Sequence, residues 1–284
     1  MKSCYLCGAE SFKKRPGSVR DDQSLQVMEC RSCGLVFLSS FDHIGTGFYE
    51  NSGMHEDEVT IEAWVRETAA DDQRRFDDFR ALLANRSVLD FGCGAGGFLA
   101  RAGQVTARAV GVEPEARLAE HFQKERLAVF PNLAQVNQTF DLITLFHVLE
   151  HLPDPADTLK QLAARLNRGG SILVEVPNAA DALLTFYENE AFAHFTYWSC
   201  HLFLFDANTL ALLAQKAGLR VEYIKQVQRY PLSNHLYWLA KGRPGGHLRW
   251  NCLDSEELHA AYEKQLGMMG CCDTLIACFG AGDG

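Results

Sequence analysis

Residues 88–100 read VLDFGCGAGGFLA. Val88, Leu89 and Phe91 make a short apolar run around Asp90. Gly92, Gly94 and Gly96 follow at alternate positions, and Gly97 and Phe98 open a segment of helical texture. A strand, a turn without β-carbons and a helix N-terminus in that order bring free backbone N–H groups against whatever lies in the turn. A glycine-rich turn alone does not name its ligand, because nicotinamide and flavin folds use a related one.

The pattern on either side repeats strand and helix. Apolar runs at Val88–Phe91, Ala109–Glu113, Leu127–Phe130, Asp141–His147 and Ser171–Val176 alternate with helical candidates starting near Gly97, Glu115 and Ala156. A helix at Ala207–Ala217, stopped by Gly218, precedes strands at Arg220–Gln228 and Asp273–Phe279. Seven strands with intervening helices predict an α/β fold with a doubly wound, Rossmann-like sheet. The last two strands are more than 40 residues apart, with a helical candidate at Ser255–Met268 between them. An insertion of that length, spanning 229–270, is expected to be functional or to form an oligomer surface such as a homodimer contact.

Taken together, VLDFGCGAGGFL, AVGVEP, FDLITLFHVLEHLPDP and RGGSILVEVPN resemble the class I S-adenosylmethionine-dependent methyltransferases over roughly residues 86–180. The resemblance implies S-adenosylmethionine as cofactor. It assigns Asp90 to the neighbourhood of the methionine moiety and Gly92, Cys93, Gly94 and Gly96 to the cofactor turn. Glu113, ending the second strand, would take the ribose hydroxyls; a carboxylate suits a vicinal diol. Asn132 would lie near the adenine, and Phe146 and His147 at the end of the fourth strand complete the cofactor set.

Residues 147–151, HVLEH, also fit H-x-x-E-H, which on a helix places two imidazoles on zinc with the carboxylate as general base. Here a strand runs directly into His147, and Pro153 and Pro155 leave little more than one helical turn. These residues therefore belong at the carboxyl edge of the sheet, where open α/β folds bind ligands. His151 and His147 are candidate bases for an oxygen or carbon acceptor, with Glu150 orienting an imidazole or meeting the acceptor. A structural hydrogen bond is the alternative for each. His201, in the aromatic segment 181–206, is a further candidate, or a satisfied histidine in a packed loop. Tyr187, Tyr197 and Trp198 line a pocket or pack on one another.

Ten cysteines stand in a chain of 284 residues with net charge −9. The charge disfavours extended nucleic-acid partners, no run is apolar enough to span a membrane, and MKSCYLCGAESFKK lacks the apolar core of a secretory signal. A cytoplasmic protein is expected. Cys4 and Cys7, then Cys30 and Cys33, form two CxxC turns, each followed by glycine. Two such turns can complete a closed tetrahedral zinc site, and in a segment too short for its own core, zinc supplies roughly 10–16 kcal/mol of folding free energy. A zinc ribbon is expected over residues 1–40, and a linker with an amphipathic helix, from about Glu58 to Ala84, over 41–85. The catalytic domain then occupies 86–284.

A zinc ribbon ahead of this domain resembles methyltransferases of sugar-nucleotide and polysaccharide biosynthesis. The resemblance implies a small, sugar-linked acceptor, methylated on a hydroxyl. Carbon or nitrogen methylation, a ribosomal-RNA methyltransferase and a non-catalytic binding protein are the alternatives. Arg243–His247 reads as a tight cationic loop for an anionic ligand or as a turn between two helices.

Overall fold

Residues 2–45, 47–51 and 59–282 are described by the structure, a computed structural model. The first 40 residues form three short antiparallel strands, β1 (Phe12–Lys14), β2 (Val27–Cys30) and β3 (Val36–Leu38). In each CxxC turn the glycine closes back on the first cysteine: Gly8 N–H donates to Cys4 O and Gly34 N–H to Cys30 O, both at 2.9 Å. The sheet takes a fourth strand, Phe203–Leu204, from far along the chain. Leu35 and Phe37 share one apolar core with Leu202, Phe203 and Phe205. The boundary expected at residue 40 therefore separates stretches of chain that fold as one body.

Helix α1 (Ile61–Leu83) begins where the Thr60 side chain accepts from Ala63 N–H, satisfying one of the donors a helix start leaves open. The start expected near Glu58 lies outside the described residues. Phe76, Phe79 and Leu83 recur at helical spacing and bury against Val88, Phe98 and Leu142.

The body then alternates as β4 (Ser87–Phe91), α2 (Gly97–Ala102), β5 (Arg108–Val112), α3 (Ala119–Lys124), β6 (Val129–Phe130), β7 (Phe140–Phe146), α4 (Pro155–Ala163) and β8 (Leu166–Pro177). The aromatic segment after β8 carries α5 (Ala182–Thr185), α6 (Glu190–Thr196) and β9 (Phe203–Leu204), followed by α7 (Ala207–Lys216) and β10 (Leu219–Val227). Helices α8 (Leu232–Lys241), α9 (Gly246–Arg249) and α10 (Glu256–Met269) make up the insertion, and β11 (Thr274–Ala281) ends the sheet.

The seven-stranded sheet has the order β10-β11-β8-β7-β4-β5-β6, with β11 antiparallel to both its neighbours. The expected strands are present, although β6 is reduced to two residues and β8 is longer than foreseen. Leu142, Ile143, Leu145, Ile172, Leu173 and Val174 are fully buried, as expected for strands covered by helices on both faces. The chain leaves β4 for β5 and β6 on one side and returns to β7 and β8 on the other. That reversal opens a crevice at the carboxyl ends of β4 and β7, the place where doubly wound sheets bind ligands.

The two ends of the insertion are tied at its base. The Asp273 carboxylate accepts from the backbone N–H of Arg229 (3.0 Å) and Tyr230 (3.1 Å) and from Gln228 Nε2 (2.9 Å). The insertion thereby stands over the carboxyl edge of the sheet. Arg243 is exposed in the turn between α8 and α9, and Gly246 and His247 already belong to α9.

Candidate active site

A cavity of about 450 Å³ lies at the crevice, lined by Gly92, Cys93, Gly94, Glu113, Phe146 and His147; Gly96, expected among them, instead lies against Leu127 and Phe122, where a β-carbon would not fit. Gly92 has φ 72°, and a β-carbon there would stand 2.5 Å from Val148 Cγ2. Only glycine fits, on both conformational and steric grounds. Asp90 is 3% exposed and accepts from Thr144 Oγ1 at 2.6 Å; burial pushes its carboxyl up to about 7. Glu113 directly follows β5 and bridges two turns, Oε2 accepting from Gly94 N–H (2.8 Å) and Oε1 from Glu115 N–H (3.1 Å). Burial raises its carboxyl as well. Asn132 does not belong to this wall. After the two residues of β6 the chain turns into a short 3-10 segment with Asn132 exposed ahead of it.

The opposite wall comes from α1. Trp64, Thr68, Asp71, Asp72 and Arg75 line the cavity, and Asp72 and Arg75 are buried. Behind them stands Glu175 of β8, with no exposed surface. It accepts from Arg74 Nη2 through both oxygens at 2.9 Å and from Arg75 Nη2 at 2.8 Å. Burial opposes its charge, yet His147 and Arg75 hold it well below the usual carboxylate range. Arg229 pairs with Asp71 and so links the insertion to α1. None of these partners is predictable from a local motif; the doubled arginine inside DDQRRFDD and the lone glutamate in the apolar run SILVEVP are the only hints.

Strand β7 ends at Phe146, and His147 turns the chain with φ 56°, a conformation that is strained for a residue other than glycine. A 3-10 turn over Leu149–His151 follows, and Asp154 caps α4 with Pro155 at its first position. His147 is clamped on both ring nitrogens: Nδ1 donates to Glu150 Oε1 (3.1 Å), and Nε2 accepts from Arg229 Nη1 (3.0 Å). Nε2 also lies 3.2 Å from Glu175 Oε1. Burial works to lower its pKa, but the two glutamates raise it overall. With neither nitrogen free, the expectation of His147 as a base is corrected: its geometry is that of a positioning residue.

His151 and His201 are held differently. His151 Nδ1–H donates to Cys200 O at 2.8 Å and His201 Nδ1–H to Thr196 O at 3.1 Å, which leaves Nε2 of each as a lone pair. Burial lowers both imidazoles, His201 to about 3. Their rings are 5.0 Å apart, and both line this cavity together with Trp198. Tyr197, by contrast, is buried in the core shared with the N-terminal sheet, and Tyr187 packs on His235.

A second cavity of about 260 Å³ opens on the far side of this pair and shares His147 and His201 with the first. Phe192 and Phe195 of α6 and Tyr230, His235, Trp238 and His247 of the insertion form much of its wall.

Four sulfurs lie apart from both cavities. Cys4 Sγ is 3.5 Å from Cys33 Sγ and Cys7 Sγ 3.6 Å from Cys30 Sγ, and all four lie within 4.8 Å of one another. Thiolates about 2.3 Å from a tetrahedral zinc stand roughly 3.8 Å apart, so the donor set fits that ion.

Comparison with known proteins agrees with the cleft. The chain is 29% identical over 175 residues to the ubiquinone biosynthesis O-methyltransferase of Aeromonas salmonicida, covering 54% of this chain and 70% of that one. The similarity to the enzyme of the same name in Stutzerimonas stutzeri is 31% over 113 residues, 36% of this chain and 48% of the relative. A tRNA U34 carboxymethyltransferase of Campylobacter hominis matches 33% of this chain at 33% identity, over 36% of its own length. Among solved structures, mitomycin 7-O-methyltransferase has a TM-score of 0.53 at 15% identity, covering 86% of this chain and 61% of that one. A chain of the complex between the Haloferax volcanii Trm112 activator and a methyltransferase also reaches 0.53, at 14% identity over 79% of this chain and 96% of that one. At such identities these likenesses bear on the fold alone. The methyltransferase-domain family model matches residues 62–224, from α1 to β10, and with the sheet order and the glycine turn beneath the cavity, the chain belongs to the class I S-adenosylmethionine-dependent methyltransferases.

Proposed function

We propose that this enzyme methylates a hydroxyl of a small, sugar-linked acceptor seated in the second cavity. The observation that carries the reading is the shared wall: His147 and His201 border both cavities, so a cofactor on one side and an acceptor on the other would meet at this histidine cluster. When bound, S-adenosylmethionine supplies an electrophilic methyl group on a sulfonium, which leaves as a neutral thioether. The chain's own task is then to hold two molecules in line and to exclude water.

Glu113 and the glycine turn would hold the nucleoside, and Asp90 the cationic end of the cofactor. His147, clamped by Glu150 and Arg229, would fix the turn between the cavities. His151 and His201 would stand beside the reacting oxygen, each with its Nε2 lone pair unused by the protein. Aromatic faces with hydrogen-bonding groups among them, as Trp238 and Phe192 with Asn234 and His235 are, suit a single polar ring, and about 260 Å³ suits one ring of a larger precursor better than a polymer. Four cysteine sulfurs at the observed spacing support a structural zinc in the N-terminal sheet.

A phenolic acceptor is the second reading, favoured by the names of the ubiquinone-pathway relatives and by the aromatic wall. Incubation with radiolabelled cofactor and parallel panels of nucleotide-linked sugars and dihydroxyphenols separates the two. Label on a sugar oxygen supports the first; label on phenols alone replaces it with the second; no transfer to either panel sinks both.

A further inference from the structure

Glu150 is fully buried, and Oε1 accepts from His147, but Oε2 has no hydrogen-bond partner among the described residues. An unpaired carboxylate oxygen in a protein interior is costly, about 1–3 kcal/mol or more, so such an atom points to a binding role. A carboxylate oxygen of Glu150 and one ring nitrogen each from His151 and His201 lie within 4.8 Å of one another. Donors about 2.1 Å from a common ion stand roughly 3–4 Å apart, a spacing that a small ring rotation reaches. Each imidazole also has the support found behind metal ligands, its Nδ1–H donated to a backbone carbonyl, Cys200 O for His151 and Thr196 O for His201. That bond fixes the tautomer and aims the Nε2 lone pair outward.

From this geometry we infer that Glu150, His151 and His201 bind a divalent first-row cation at the junction of the two cavities. Two imidazoles and a carboxylate suit zinc, iron, cobalt or manganese and leave coordination positions open. The four cysteines, by contrast, would close their ion off. HVLEH is thus a metal-binding stretch of a different kind from the helical peptidase pattern: Glu150 is a ligand, His147 orients it, and the third ligand comes from the segment before β9.

The role of the cation rests on the hydroxyl-methylation reading. An open position takes the acceptor oxygen, and coordination makes its O–H acidic. The O–H bond breaks, the proton passes to water in the cleft, and the electron pair stays on oxygen. That oxygen then forms the C–O bond as the methyl–sulfur bond breaks, its electrons returning to sulfur.

The test uses the full chain and zinc alone. After dialysis against Zn²⁺ and then metal-free buffer, metal per chain is counted by plasma mass spectrometry. Wild type is expected to retain two zinc ions, and Glu150→Gln, His151→Ala and His201→Ala one each. A far-ultraviolet circular dichroism spectrum and a cooperative thermal transition matching wild type report that a variant is folded; Glu150→Gln, which preserves shape, decides the matter if a histidine variant does not fold. Equal metal content in wild type and every folded variant overturns the inference. Because counting needs no acceptor, a chain that loses one zinc on substitution yet methylates no hydroxyl sinks only the functional reading.

Discussion

The proposed cofactor side and the proposed acceptor side of the cleft are built in opposite ways. Asp90, the glycine turn, Glu113 and Phe146 sit at the ends of neighbouring strands, so one strand-turn-helix unit and its flanks place nearly all of that wall. The proposed acceptor side takes His201 from the turn before β9, Phe192 from α6 and Trp238 from the insertion. A wall made by sequence neighbours depends on local backbone chemistry. One made by distant segments depends on whatever holds those segments together.

Glu175 is where the contrast is easiest to break. It carries Arg74 and Arg75 of α1, the second of them in the cavity wall, and lies against His147, which Arg229 of the insertion also holds. Glu175→Ala leaves buried cations uncompensated, and we expect a loss of about 3–5 kcal/mol, read from the denaturant midpoint, together with weaker cofactor binding and slower turnover. A loss below about 1 kcal/mol would show that the two halves are held independently. Glu175→Gln, which keeps the shape and removes only the charge, should fall between.

Confined to one side, the effects should separate. Glu113→Ala removes the carboxylate that accepts from Gly94 and Glu115, and cofactor Kd should rise about 10–100-fold, since a hydrogen bond to a charged group contributes about 1.5–3 kcal/mol. Acceptor KM should stay near wild type, and unchanged cofactor affinity would remove Glu113 from the cofactor site. Tyr230→Ala is its counterpart. This ring is partly exposed and lines only the second cavity, so acceptor KM should rise roughly 3–10-fold, the size of an aromatic contact, while cofactor Kd holds within twofold. A shift in cofactor affinity instead would mean that the second cavity belongs to the cofactor.

The same contrast explains what could be read from the chain alone. The glycine turn was legible because free N–H groups and a φ that only glycine tolerates leave few alternatives at Gly92. Seven strands were legible from apolar runs, and the two CxxC turns from their doubled spacing. Asn132 follows β6 at the expected place, after Phe130, but is exposed and turned out of the cavity lining, a direction that the strand boundary does not reveal. Helix α1 reads from its sequence as an amphipathic helix, and nothing in DDQRRFDD shows that Arg75 is buried against Glu175, a hundred residues later. His147 carries no sign in the sequence that Arg229 occupies its second nitrogen. Pairings of this kind are set by tertiary structure, and one chain without its fold does not reveal them.

The smallest effect sharpens the cofactor side further. Burial holds Asp90 at about 7 in the unliganded chain, against an ordinary value of about 3.9. Its folded pKa is raised, so its contribution to stability is fully present below about pH 4 and is lost as pH rises towards 7. A cofactor whose methionine end carries positive charge favours the carboxylate, so binding has the opposite slope. Affinity should increase by up to about tenfold between pH 6 and pH 7 and level off above, the limit for one proton released on binding. Calorimetry at pH 6 in two buffers of different ionisation heat should detect that proton, and Asp90→Asn should abolish both the proton release and the slope. If the slope survives in Asp90→Asn, the titrating group lies elsewhere in the cleft, and Glu113, also raised by burial, becomes the residue to replace next.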